Sequence, residues 1–292
     1  MEATEEFPEG ETVVPLIELK RWRQLARTAV GGGIGDVLTF RLTKPTVKPT
    51  RFTVAEINPD PALEELGHLR MAPGWTLLGI SELVGGNGCG VVFAVREHER
   101  REATRWLFKV CEAGEVSIEE LRDGERKPPK SISVVMNAVE GPPTPESFVQ
   151  ASLLFRELLE YGASWHDIYW GDKYLIDLPP WEEGWDPDTV IRGRERSVTM
   201  SSPSEARNAL ELEVMRGPGY WKAKGELPDH FRPVVIRRGS EVTVRFSTYG
   251  ERYRVHVLTH EDRYDFSSPM RTPARSGIVF RAATLRQSGF LY

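Results

Sequence analysis

The amino-acid sequence predicts an α+β fold: two β-rich lobes with a few helices, mainly antiparallel sheets, and C-terminal strands forming a meander or partly open barrel. Three observations predict it. Short segments of alternating apolar and polar residues recur along the chain, divided by glycine or proline turns. An apolar strand, "SISVVMNAV", feeds one strongly periodic helix, "TPESFVQASLLFRELLEYG". Four strand-like segments then crowd the last 61 residues: "RPVVIRR", "SEVTVRFST", "ERYRVHVLTH" and "GIVFRAATL".

Taken in order, residues 1–14 are expected to form a flexible acidic tail. In "PLIELKRWRQLART", Leu16, Leu19, Trp22 and Leu25 recur every three residues and line one face of a helix, which the "GGGIG" at 31–35 ends. "DVLTFRLT" alternates with Leu38, Phe40 and Leu42 inward, and "TRFTVAEI" is its neighbour, with Phe52, Val54 and Ala55 near the core. "NPDPALEELGHL" predicts a brief helix capped by Asp60, with Pro61 at its first position. "WTLLGISEL" and "CGVVFAVRE" read as strands around the turn "GGNGCG", and "TRWLFKVCE" as another strand that buries Cys111.

Charge, glycine and paired prolines coincide in "RDGERKPPK", which divides an N-terminal lobe, 15–127, from a C-terminal lobe, 128–292. In the clearest helix, Thr144 caps the free amides and Pro145 sits where a missing N–H costs nothing. Phe148, Ala151, Phe155, Leu158 and Leu159 form its apolar stripe, and Gly162 supplies the left-handed stop. Residues 165–185 are loop-like, and "SPSEARNALELEV" predicts a second helix or a helix-to-strand transition.

With 40% apolar and 28% charged residues, the 292-residue chain has a globular balance and can bury a core without disulfides. Its two cysteines, Cys89 and Cys111, exclude a disulfide framework and a four-cysteine zinc knot, and free thiols in a reducing cytoplasm are expected. The acidic start is no secretory signal, and no stretch approaches 18 apolar residues, so neither export nor a membrane span is expected. From Arg232 onward the chain has eleven arginines, no lysine and five acids, a charge of +6, which leaves −11 on the first 231 residues of a chain that totals −5. Arginine without lysine favours planar, two-pronged contacts to carboxylates or phosphates.

Chemical motifs are sparse. "GGGIGD" lacks the lysine and serine of a phosphate loop, and its glycines follow a helix and enter a strand, the reverse of a dinucleotide fingerprint. Cys89 in "GGNGCG" would be a nucleophile only with a base beside it; otherwise the glycines serve a tight hairpin. "ERYRVHVLTHEDRYDF" resembles a metal motif, but its period is two, so His256 and His260 stand about 13 Å apart on a straight strand, too far for one zinc unless the strand bulges after Leu258. No metal and no cofactor are expected.

Two surfaces are therefore the candidates for interaction. The first carries Trp165, Trp170, Trp181 and Trp185, four of the chain's eight tryptophans. The second is a basic stripe in which Arg245 lies across a hairpin from Arg252, Arg254 and His256. The expected function is that of a cytoplasmic, non-enzymatic binding protein with a protein partner, of inhibitor or immunity type. Two other readings stay open. One is a hydrolase that uses His166 or His256 with Asp167 or Asp172, or Cys89 as nucleophile. The other is a nucleic-acid binder that uses the C-terminal arginines.

Overall fold

The computed structural model describes residues 7–29, 52–82, 90–112, 132–159, 174–176, 221–225, 228, 231–250 and 256–284. The expected strand at "DVLTFRLT", the "GGNGCG" turn, the lobe boundary, Gly162, the 165–173 and 177–185 parts of the aromatic segment and "SPSEARNALELEV" lie outside them. The architecture is α+β, with two mainly antiparallel sheets, a further strand pair and few helices.

The larger sheet runs β1 (Gly10–Val13), β10 (Val234–Arg238), β11 (Glu241–Gly250), β12 (His256–Asp265), β13 (Arg275–Thr284) and β9 (Trp221–Gly225). It is an open meander and does not close into a barrel. β10 covers one edge of β11 as far as Arg245, and β8 (Tyr174–Ile176) takes over that edge from Ser247 to Tyr249. The β10–β11 hairpin turns on Gly239, whose φ of +59° is a left-handed angle that glycine adopts without strain.

The second sheet runs β2 (Phe52–Ile57), β4 (Trp75–Glu82), β5 (Gly90–Arg96) and β6 (Ile132–Val134). A short pair, β3 (Arg70–Met71) with β7 (Val139–Glu140), belongs to neither sheet. "SISVVMNAV" is thus not one strand: a 3-10 turn at Val135–Ala138 separates β6 from β7 and buries Val135, Met136 and Ala138. The apolar run was right about burial and silent about the turn.

Helix α1 (Leu16–Ala29) buries Leu19, Trp22 and Ala26, with Leu16 and Leu25 partly covered, as the three-residue spacing requires. α2 (Asp60–Leu66) starts one residue earlier than expected. Asp60 is its first residue, not its cap, and the Asp60 amide donates to Asn58 Oδ1 at 3.1 Å. α3 (Arg100–Glu112) replaces the strand expected at "TRWLFKVCE". Its buried residues Ala103 and Leu107 are four apart, a helical spacing that a continuous apolar run conceals.

α4 (Pro145–Leu159) has the expected cap: the Ser147 amide donates to Thr144 Oγ1 at 3.4 Å. It packs on α1 and on β5, β10 and β11, so it is covered on most sides. Phe148, Ala151 and Leu158 are buried, Phe155 is half-buried, and Leu159, expected in the stripe, is exposed. One core joins Leu19 and Leu63 with Phe148, Val244 and Tyr264, from both sides of the expected lobe boundary. The expected tail is also part of this body from Phe7 onward. Phe7 is buried against Phe266, β1 pairs with β10, and Arg237 donates to the Phe7 carbonyl. Among the described residues no helix is long and apolar enough to cross a membrane.

Phe148 is fully buried, 5.4 Å from the Tyr264 ring and 4.3 Å from the Arg271 guanidinium. Phe148→Ala should lower unfolding stability by about 3–5 kcal/mol, read as a lower urea midpoint with an unchanged slope. A loss below about 1 kcal/mol would show that α4 is not the keystone of the core.

Candidate functional site

The C-terminal hairpin has a different register from the one expected. Gly250 pairs with His256, and β12 covers 256–265, not 251–260. Arg245 therefore lies opposite Glu261, and His256, opposite Gly250, holds a position of the other parity. The alternation continues through both candidate strands, so periodicity alone did not fix where β12 starts. Around Arg245 the structure has a charge ladder. Arg245 donates to Glu261 Oε2 at 2.7 Å, Arg263 donates to Glu261 Oε1 at 2.9 Å, and Arg263 lies 3.6 Å from Glu241. Burial disfavours the Glu261 carboxylate, but the hydrogen bonds from Arg245 and Arg263 outweigh it and hold the carboxyl below its ordinary value of 4.5.

The other face of this hairpin turns into the core. His260 is buried, stacks on Phe246 at 5.3 Å, and its Nε2 lies 3.0 Å from Thr248 Oγ1. Asp262 is fully buried and accepts two hydrogen bonds from Arg156 of α4, at 2.5 and 3.0 Å, and one from Ser276 Oγ at 2.5 Å. Arg156 also donates to the Ser152 carbonyl at 2.8 Å, and the Ser152 hydroxyl meets Tyr264 Oη at 2.8 Å. Burial first, then the Asp262 charge, pushes the Tyr264 phenol far above its ordinary value, so it stays protonated. A bulge does occur beside His260, but the extra residue is Val279 on β13, and β12 stays extended. The histidine and aspartate that looked like site chemistry thus belong to a polar layer between α4 and the sheet. Sequence reasoning missed Arg156; its signal was the polar pair Ser152 and Arg156, four apart and so on one side of the helix.

Trp165, Trp170, Trp181, Trp185, Arg252, Arg254, His166, Asp167, Asp172 and Cys89 lie outside the described residues, and His256 is described by its backbone position alone.

A concave site not foreseen from sequence lies beside α2. It is a cleft of about 650 Å³ bordered by Asp60, Leu63, Glu64 and Gly67 of α2, by His68–Met71, by Glu140–Pro142 and by Pro269. Gly67, φ +84°, ends the helix and turns the chain along the cleft wall. Arg70 and Glu140 pair across the rim at 3.1 Å, and His68 Nδ1 lies 3.5 Å from Thr144 Oγ1.

Arg271 pins the floor. Its side chain is fully buried and donates to Ser147 Oγ at 2.6 Å, to the Ser268 carbonyl at 2.6 Å, and to the Gly141 and Pro142 carbonyls at 2.5 Å each. A side chain at Gly141 would collide with Ser147 Oγ and the His68 carbonyl, so only glycine allows this approach. No acceptor in this set is a carboxylate, and burial lowers the guanidinium to about 10, still charged at neutral pH. The nucleic-acid reading uses the C-terminal arginines as a surface; Arg271, one of them by position, is a buried clamp instead. Nothing in the local sequence "SSPMRTP" distinguishes it from its exposed neighbours.

No family model, curated protein or solved structure matches the chain.

Two predictions follow from the geometry of the hairpin. Asp262→Ala strands a buried guanidinium and should cost about 3–5 kcal/mol in chemical unfolding, whereas a surface carboxylate would cost under about 1 kcal/mol. Glu261 has a folded pKa below its unfolded one, so its stabilisation is complete above about pH 4.5 and is lost as the pH falls through the folded value. The stability gap between the native chain and Glu261→Gln should therefore narrow on acidification below that pH, and urea titrations at stepped pH that show a constant gap would contradict the assignment.

Proposed function

We propose that the chain is a non-enzymatic binding protein of inhibitor or immunity type, which holds a protein partner in the cleft beside α2. The observation that supports this reading is the fixed floor of that cleft. Arg271 ties Gly141, Pro142 and Ser268 together from beneath, so the concavity exists before any partner arrives. A preformed site avoids the ordering cost that weakens association through mobile segments. The lining also suits a partner surface: the half-buried Met71 gives apolar contact, and charged groups stand at the rim.

The rim charges are Asp60, Glu64 and Glu140 against Arg70, with Glu140 already paired. Free carboxylates facing outward are what an acidic inhibitor offers to a basic target. The histidine of the cleft, His68, is held toward Thr144 and stands in no hydrogen bond to a carboxylate among the described residues. That arrangement favours recognition over acid-base chemistry there.

The test is capture by the full-length chain from its native extract, compared with the Asp60→Asn/Glu64→Lys variant. Both side chains are exposed, so the variant should unfold within about 0.5 kcal/mol of the native chain. A stoichiometric protein partner should be recovered with the native chain and lost with the variant. Recovery of no such partner, or equal recovery by both, would remove the reading.

A further inference from the structure

We infer that the edge of β13 from Arg275 to Val279 is a docking strand for an extended, acidic-ended segment of a partner protein. It uses none of the cleft residues. β13 is ten residues long, but β9 pairs only with its second half, from Phe280 to Thr284. Among the described residues, Arg275–Val279 has β12 on one side and no strand on the other.

The break has a local cause. β9 is described as far as Gly225, whose φ of +95° is a left-handed angle and not a strand one. At the same point β13 carries its extra residue, Val279, and a side chain on Gly225 would collide with the Val279 carbonyl. Bulge and glycine together mark the limit of the pairing, and among the described residues no strand covers the rest of β13.

The uncovered half has the features of a peptide-accepting edge. Unpaired backbone donors and acceptors on an edge strand can take a further strand, and side chains flanking it set the choice of partner. Ile278 and Val279 are adjacent and 42% and 40% exposed, an apolar pair in the middle of the sheet edge. Arg275 stands exposed at one end. At the other end Arg281 and Lys224, paired in register, are both exposed. The acids nearest in register do not neutralise them. Glu261 is held by Arg245 and Arg263, and Asp262 by Arg156 and Ser276. The complementary occupant is an extended segment with an apolar centre and carboxylates at both ends, which the arginines meet with planar forks.

The experiment uses the full chain and fluorescein-labelled nine-residue peptides read by anisotropy. The probe has alternating valine and threonine at its centre and two glutamates at each end. Comparison probes carry lysines at the ends, or N-methyl groups on alternate central amides, which remove ladder hydrogen bonds without touching the protein. The glutamate probe should bind, and binding should weaken at least tenfold with N-methylation, with lysine ends, and in the Arg275→Glu/Arg281→Glu variant at an unchanged urea midpoint. The Glu64→Lys variant should bind as the native chain does, which separates this edge from the cleft. No binding, equal binding of the N-methylated or lysine-ended probe, or tighter binding of a single-stranded oligonucleotide than of the glutamate probe would overturn the proposal.

Discussion

The two-pronged hydrogen bond from Arg156 to Asp262 decides how α4 sits on the large sheet, and much of the fold depends on that seating. Taking two charges out of water is costly, and such a pair adds little net stability over an apolar substitute. Its consequence is specificity. A slip of β12 by one residue would carry Asp262 to the outer face, away from Arg156, and turn Glu261 and Arg263 onto the core face. The same slip would move Tyr264 away from Ser152 and His260 away from Thr248. Apolar packing of Val242, Val244 and Phe246 favours a face but tolerates neighbouring registers; the polar layer does not.

A second arginine works on the other end of the same helix. Arg271 lies over the Phe148 ring and binds Ser147, while its remaining donors reach backward to Gly141 and Pro142 and along its own loop to Ser268. The helix is therefore held near its start by an arginine from the C-terminal segment and near its end by its own Arg156. A lysine offers a point charge and three donors on one atom, which cannot address four acceptors spread around a plane. This accounts physically for arginine at 271, in a segment that contains no lysine.

How much of this was legible beforehand depended on the kind of signal. Elements with a clear period and end signals were placed well: α1 from Leu19, Trp22 and their neighbours, α4 from Thr144 and Pro145, and β10 and β11 from alternation. "TRWLFKVCE" was misread because Trp106, Leu107 and Phe108 are consecutive, and a continuous apolar run carries no period. The start of β12 was misplaced because residues 251–255 alternate as well as those that follow them. The cleft was invisible for a different reason. Its walls come from α2, β7 and the loop at Pro269, some 200 residues apart, and only the fold joins them. His260 and Asp262 were visible as chemistry but not as core, since alternation identifies two faces without saying which is covered.

The charge asymmetry of the chain gains a different meaning from these contacts. A segment of +6 beside a remainder of −11 suggests a basic lobe docked on an acidic one. The described contacts do not follow that division. Arg245 and Arg263 pair with Glu261 and Glu241 of their own hairpin, and Arg237 and Arg271 cross to the rest of the chain through backbone carbonyls. An ion pair that does cross the division, Arg156 with Asp262, has the opposite polarity. Carbonyl contacts consume donors without cancelling charge, so the positive excess is not removed by docking. It persists at Arg238, Arg275 and Arg281, which remain exposed, while Asp60 and Glu64 remain exposed on α2. Net charge counted along a sequence measures neither lobe docking nor surface potential; what decides both is whether each arginine ends on a carboxylate or on a carbonyl.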